Sequence, residues 1–317
     1  MIEHRQLEYL VAIVEHGGFT NAARALQVTQ PSISRAVGRL EREMGVELFH
    51  RIGRNAVLSR AGVLTVDRAR QVLRELDDLR AMARAVGAGI AGRVDIAATT
   101  SAALGPVLDT VDELHKRHPG VTVSIWSVSS AAEAVAMVLR GRCSAGVCGS
   151  RDRPARPGLM ASRLRDREYL LVAPPGTQIG VDGAVAAEDL RGHRFVVPPP
   201  GTAVRDYFDR LAEVGDLSIA AEVGDCSAIL PMVLRGIGVS IMSDGWHALA
   251  HRSGSAVRRF SPSERVPQWL VYRSVPRGSA LQVFIDTINS LNTCVPSDAH
   301  SDSHEISLRI GQSHGER

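Results

Sequence analysis

Four groups of small polar residues sit where a β-strand run gives way to a helical run. They are Thr99-Thr100-Ser101, Ser129-Ser130, Gly201-Thr202 followed by Arg205, and Asp225-Cys226-Ser227. Hydroxyls and backbone N–H groups at helix N-termini do binding chemistry: they donate hydrogen bonds to a ligand lying beyond the carboxyl ends of strands. Each group alone could equally be an N-cap that serves only its own helix. Their convergence on corresponding places of one domain points to a shared cleft. Thr99, Thr100, Ser101, Ser129, Ser130, Thr202, Arg205 and Cys226 are therefore the candidate ligand-binding residues, and their donors suit a small organic anion. Catalysis has no such footing. No Ser–His–Asp order, HExxH pair, Walker loop or GxGxxG after a strand is present, so neither an enzymatic reaction nor a cofactor is expected.

A different chemistry is on offer near the start of the chain. In TQPSISRAVGRLEREMG, Thr29 is placed to cap a helix and Pro31 falls in its first turn, where a missing N–H does no harm. The proline thus begins a helix rather than breaking one. Ile33, Val37, Leu40 and Met44 mark its packed face, and Gln30, Ser32, Ser34 and Arg35 lie opposite. Short polar groups with an arginine at a helix N-terminus suit insertion into a DNA major groove. Upstream, Leu7, Leu10, Val11 and Val14 predict a helix over residues 3–15, stopped by Gly17-Gly18, with Thr20 capping a second. Residues 46–59 read as a hairpin wing on which Arg51 and Arg54 reach phosphates. A small helical domain with incidental arginines has the same spacing, so the pattern alone leaves both readings open.

Bulk charge does not decide between them. Residues 1–60 hold eight arginines and six glutamates, so DNA binding must rest on where the arginines sit. The 317 residues, 44% hydrophobic with a net charge of +3, are ordinary for a globular chain of two or three domains. The start, MIEHRQLEYL, has no apolar signal-peptide core, and no apolar run approaches the ~18 residues of a membrane span. A cytoplasmic protein with no membrane partner is expected. Cys143, Cys148, Cys226 and Cys294 lack CxxC spacing and read as free thiols.

The elements that must hold these groups follow from periodicity. From Arg60 to Gly87 the chain lacks proline, and Val66, Ala69, Leu73, Leu76, Leu79, Ala83 and Val86 form a stripe. Such a helix, about 40 Å long, buries that stripe against a second copy or against its own protein. Beyond Gly92 the β-α-β pattern repeats, with a helix expected from Leu104 to His118, giving an α/β domain with a largely parallel sheet. The expected division is a winged helix-turn-helix domain (1–59), a dimerising linker helix (60–88), a first lobe (92–165 and 267–293), a second lobe (166–266) and a polar, disordered tail (294–317). Two crossings between lobes, near 163–168 and 262–268, would form a hinge over a cleft, similar to a periplasmic binding protein. The irregular spacing of His300, His304 and His314 in the tail argues against a metal site.

The stretches LEYLVAIVEHGGFTNAARAL, TQPSISRAVGRLEREMGVELFHR and LSRAGVLT resemble, without gaps, the DNA-binding domain of LysR-type transcriptional regulators. The resemblance implies that Gln30, Pro31, Ser34 and Arg35 contact promoter DNA from the recognition helix, while Arg51 and Arg54 take phosphates from the wing. It also implies a homodimer or homotetramer paired through the linker helix, contact with RNA polymerase, and a small-molecule effector in the cleft near Thr99, Ser101, Ser129, Ser130 and Thr202. The chain departs from the family pattern at Gly141-Arg142-Cys143-Ser144, which lacks the usual final acidic residue, and at Ser243, where many relatives have proline. A thiol-based redox regulator is the alternative, with Cys226 near a helix N-terminus. The peroxide-sensing member of the family carries GHCLRD, however, and here Ala203 stands where its cysteine would be. A ligand-binding protein without DNA is disfavoured by the first sixty residues.

Overall fold

The computed structural model describes residues 1–52, 55–88, 90–273, 275 and 278–292. Arg54 and residues 294–317 lie outside the described residues, and Arg51 is described in its backbone only.

Helix α1 (His4–Glu15) is buried on more than one side, Tyr9, Ala12 and Ile13 packing in one core and Leu10 and Val11 in another. Gly17 and Gly18 follow with φ of 70° and 140°, so the chain has already turned when α2 (Phe19–Ala25) begins. The N-cap of α2 is therefore Gly18, not the expected Thr20. Helix α3 (Gln30–Met44) starts after an extended Thr29, whose hydroxyl pairs with that of Ser32 at 2.7 Å instead of capping a backbone N–H. It ends at Gly45 in the left-handed region (φ 69°), a conformation glycine adopts without strain. Ile33, Val37 and Leu40 are buried as expected, whereas Met44, in the last turn, is 37% exposed.

Strands β1 (Phe49–Ile52) and β2 (Asn55–Leu58) pair antiparallel as the wing. Helix α4 (Arg60–Ala88) follows at once. Ser59 donates to the Glu47 carbonyl at 2.6 Å and accepts from the Gly62 N–H at 2.9 Å, locking the start of α4 to the wing. Val66 and Ala69 pack with Leu10 and Val11 of α1, Leu40 of α3 and Leu48 just before the wing. The apolar stripe of α4 is thus divided: its first part lies on its own protein, while Leu79 is 61% exposed, as is, at 41%, the neighbouring Val72 outside the stripe.

The first lobe is built on β3 (Gly92–Thr99), which runs into the short α5 (Thr100–Ala102), a wide π-type turn (Ala103–Val107) and α6 (Leu108–Arg117). The single helix expected from Leu104 is broken because Pro106 cannot donate to the preceding turn and Gly105 takes φ −125°, ψ −109°. Next come β4 (Val121–Val128), α7 (Ala131–Leu139) and β5 (Ala145–Gly149). Strands β4, β3 and β5 are parallel. Strand β6 (Met160–Ala173) then runs out of this lobe and into the second.

The second lobe comprises β7 (Ala184–Val185), β8 (Arg194–Val197), α8 (Ala203–Val214), β9 (Ser218–Glu222), α9 (Ile229–Leu234) after a 3₁₀ turn at Cys226–Ala228, and β10 (Ser240–Ser243). A 3₁₀ turn at Asp244–Trp246, α10 (His247–Arg252) and β11 (Ala256–Phe260) complete it. Strand β12 (Arg265–Tyr272) returns to pair antiparallel with β5 and β6, and α11 (Ala280–Asn292) covers the first lobe. The sheet order β4-β3-β5-β12-β6-β11-β7 is thus parallel at its two ends, β4-β3-β5 and β11-β7, and antiparallel through its middle. The expectation of a largely parallel sheet fails because both crossing strands enter it antiparallel to their neighbours. Each lobe has its own core, one around Ile96, Val147 and Phe284, the other around Leu171, Phe195 and Ile241.

Candidate nucleic-acid interface and ligand cleft

Helix α3 presents Thr29, Gln30, Pro31 and Arg35 as exposed residues, with Ser32 and Ser34 half-buried beside them. The opposite face is fixed by Ile33 and Val37 in a core with Tyr9, Ile13 and Ala22. A polar first turn is thereby held on a rigid three-helix base. The Arg35 Nε donates to the Pro31 carbonyl at 3.3 Å, which keeps its guanidinium along the helix start. Arg39, one turn on, faces Glu3 at 3.5 Å.

A cleft of about 610 Å³ lies between the lobes. Thr99, Thr100, Ser101, Ser129, Ser130, Thr202 and Cys226 all line it, so the structure brings together seven of the eight candidate residues. Arg205 does not line it. Its guanidinium turns away to Asp209 and Glu222, at 2.7 Å each, and to the Pro198 carbonyl at 3.2 Å. Several hydroxyls also have local duties. Ser130 caps α7 by accepting from the Glu133 N–H at 3.2 Å, and Thr202 caps α8 by accepting from the Arg205 N–H at 3.1 Å. The Glu133 carboxylate accepts from both the N–H and the hydroxyl of Ser129, each at 2.9 Å. Across the cleft the Asp225 carboxylate accepts from the Ser227 hydroxyl and N–H, which hold its pKa below the usual aspartate value.

Other lining residues escaped the sequence reading. Tyr169 of β6 and Ser243 at the end of β10 are each 2% exposed, line the cleft, and carry hydroxyls with no hydrogen-bond partner among the described residues. Leu104, Ile229, Met242 and Trp246 form an apolar wall. Glu133 could have been found from the Ser130-x-x-Glu133 spacing, a variant of the capping box. Tyr169 gave no such signal, because it sits within a run that reads as buried strand, and Ser243 stood out only as a serine where many relatives have proline.

Of the cysteines, Cys143 and Cys148 are buried and burial pushes each thiol up to about 12. Only Cys226 among the described cysteines reaches the cleft. No group of described residues could hold a metal ion, and no described helix is long and apolar enough to cross a membrane.

Comparison with known proteins gives two family matches that together span nearly all of the described chain. Residues 4–63 match the bacterial regulatory helix-turn-helix protein family of lysR type, and residues 87–292 match the LysR substrate binding domain. The HTH-type transcriptional regulator XapR of Escherichia coli (strain K12) is 27% identical over 242 residues, 76% of this chain and 82% of XapR. ClcR of Pseudomonas putida is 25% identical over 293 residues, 90% of this chain and 98% of ClcR. Among solved structures, full-length CbnR complexed with target DNA superposes with a TM-score of 0.67 at 24% identity, covering 91% of this chain and 99% of CbnR. A full-length OxyR variant from Pseudomonas aeruginosa gives a TM-score of 0.70 at 22% identity, covering 91% of this chain and 95% of OxyR.

Proposed function

Because the chain belongs to the LysR family of transcriptional regulators, we propose that α3 reads promoter DNA and that the interlobe cleft binds a small-molecule effector that modulates this binding. The observation that carries the reading is the exposed first turn of α3, with Gln30 and Arg35, set on a buried apolar base. Gln30, Ser34 and Arg35 are the base readers, Thr29, Pro31 and Ser32 shape the entry, and Arg51 and Arg54 take phosphates from the wing. The solved complex of CbnR with its target DNA, a structure of the same fold, supports DNA binding as the reading. The exposed Val72 and Leu79 of α4 pair two subunits, and association of further subunits gives a homotetramer. The protein works in the cytoplasm, where its DNA and RNA polymerase are, and it is not an enzyme.

Effector binding acts by shifting a two-state equilibrium. Strands β6 and β12 are the only described strands whose pairing spans both lobes or joins them, so they form the axis of closure. A ligand moves that equilibrium only as far as its affinities for the open and closed forms differ. The effector-contacting set comprises Thr99, Thr100, Ser101, Ser129, Ser130, Thr202 and Cys226, with Arg205 supporting from behind. The test is fluorescence anisotropy of the purified protein on the DNA upstream of its own gene, with random duplex as control and the salt concentration varied. Tighter binding to the upstream fragment, lost in Gln30→Ala, is expected. Equal affinity for both DNAs would overturn the assignment of α3.

A further inference from the structure

We propose that the cleft takes an uncharged polar ligand with one apolar face, held by the hydroxyls of Tyr169 and Ser243. The proposal rests on the reading of this cleft as the effector site. Hydroxyls and helix N-termini at strand ends suit an anion in general, but the charges around this cleft do not. Among its described lining residues there is no lysine, arginine or histidine, while Glu133 and Asp225 both line it.

Two sets of donors that an anion would use, those of Ser129 and Ser227, already serve the chain's own carboxylates. Just ahead of helix α7, Glu133 accepts from the N–H and hydroxyl of Ser129 at 2.9 Å each, which places a carboxylate at that end of the cleft. Asp225 does the same at the 3₁₀ turn, accepting from Ser227 at 2.9 Å and 2.7 Å. The N-terminus of α8 contributes roughly half a positive charge, which does not offset two carboxylates. The cations just behind the wall are each paired. Arg205 is held by Asp209 and Glu222 at 2.7 Å, and Arg167 by Asp244 at 2.6 Å. An anionic ligand would therefore enter a region of net negative charge.

Tyr169 and Ser243 supply the positive side of the argument. Buried hydroxyls without partners cost stability unless something completes them. These two face each other's strands, because β10 and β6 pair with Ser243 opposite Tyr169. A ligand hydroxyl, carbonyl or amide can complete both without introducing charge. The wall of Leu104, Ile229, Met242 and Trp246 then covers its apolar face.

The test uses the full-length protein and a library of small metabolites sorted by charge at neutral pH, including matched pairs such as nicotinamide with nicotinate and benzamide with benzoate. Thermal shift finds the binders and calorimetry ranks them. Binders are expected to be uncharged, and to lose at least tenfold in affinity in Tyr169→Phe/Ser243→Ala. Without ligand, that variant is expected to melt no lower than the wild type, because neither hydroxyl has a protein partner to lose. The Glu133→Gln/Asp225→Asn variant keeps an acceptor for each serine and is expected to gain at least tenfold for carboxylates that the wild type ignores. A carboxylate or phosphate as the tightest wild-type ligand would overturn the proposal, as would undiminished binding by the hydroxyl variant. Silence across the library, from protein that still binds its upstream DNA, would sink the effector reading itself and this proposal with it.

Discussion

Gln30 and Arg35 differ from Arg51 in what they can read, and substitution separates the two roles. A residue bonded to a base edge contributes about 1–3 kcal/mol of discrimination, so Gln30→Ala and Arg35→Ala are expected to weaken operator binding by that amount and random-duplex binding little. Arg51→Ala is expected to weaken both equally and to lower the salt slope by about one ion. Anisotropy titrations on both DNAs over a range of salt check this. The buried thiols make a second test. With Cys143 and Cys148 pushed up to about 12, neither is expected to react with iodoacetamide at pH 8 in the folded protein. Both should label once denaturant is added, as site-resolved mass spectrometry would show. At this scale the sequence was informative where residue type and position coincide, as at Thr99, Ser129 and Thr202. It was silent at Tyr169, marked Ser243 only as a replaced proline and not as a cleft hydroxyl, and misjudged Arg205, which three acceptors draw away from the cleft.

Helix α4 does two jobs along one length. At its start, a Cβ on Gly62 would lie 2.1 Å from the Leu48 carbonyl oxygen, a backbone atom that cannot swing aside. Gly62→Ala is therefore expected to destabilise the DNA-binding domain by about 1–3 kcal/mol, read by thermal unfolding. Further on, Leu79 is 61% exposed. Leu79→Glu is expected to shift the protein towards monomer in sedimentation velocity and to weaken operator binding through lost pairing of half-sites. A dimer unchanged by Leu79→Glu would show that α4 is not the pairing surface. Length, stripe and boundaries of α4 were legible from the absence of proline. The division of the stripe was not, because Val66 and Ala69 follow the same spacing as Leu79 and only the position of α1 tells them apart. The π-type turn at Ala103–Val107 was hidden likewise: Gly105-Pro106 was visible, but not that a helix begins before it at Thr100.

Across the whole molecule, the cleft is linked to the hinge by a run of contacts. Tyr169 stacks on Tyr207 at 5.1 Å, and the Arg210 guanidinium lies 5.2 Å from the centre of the Tyr207 ring. Arg210 reaches Glu264 at 2.7 Å, and Glu264 also holds Arg151, which follows β5 of the first lobe. Glu264 stands just before the returning strand β12, so its carboxylate ties both lobes at the crossing. These groups are partly exposed, and screening limits the pair to about 1 kcal/mol. Glu264→Ala is thus expected to shift the effector concentration for half-maximal response by about fivefold, with operator affinity unchanged when effector is absent. The general plan, a small helical end, a long helix and two α/β lobes, was legible because each part has its own periodicity, whereas DNA reading by the first part rested on the family resemblance. Sheet direction at the crossings was not, since strand pattern carries no polarity.

The central claim is that α3 reads a specific promoter sequence, and footprinting of the full-length protein on the DNA upstream of its own gene tests it most directly. The account expects two protected half-sites about one helical turn, ~34 Å, apart, retained in Tyr169→Phe and lost in the Gln30→Ala/Arg35→Ala variant. Protection spread evenly along the fragment, or an unchanged footprint from that variant, would contradict it.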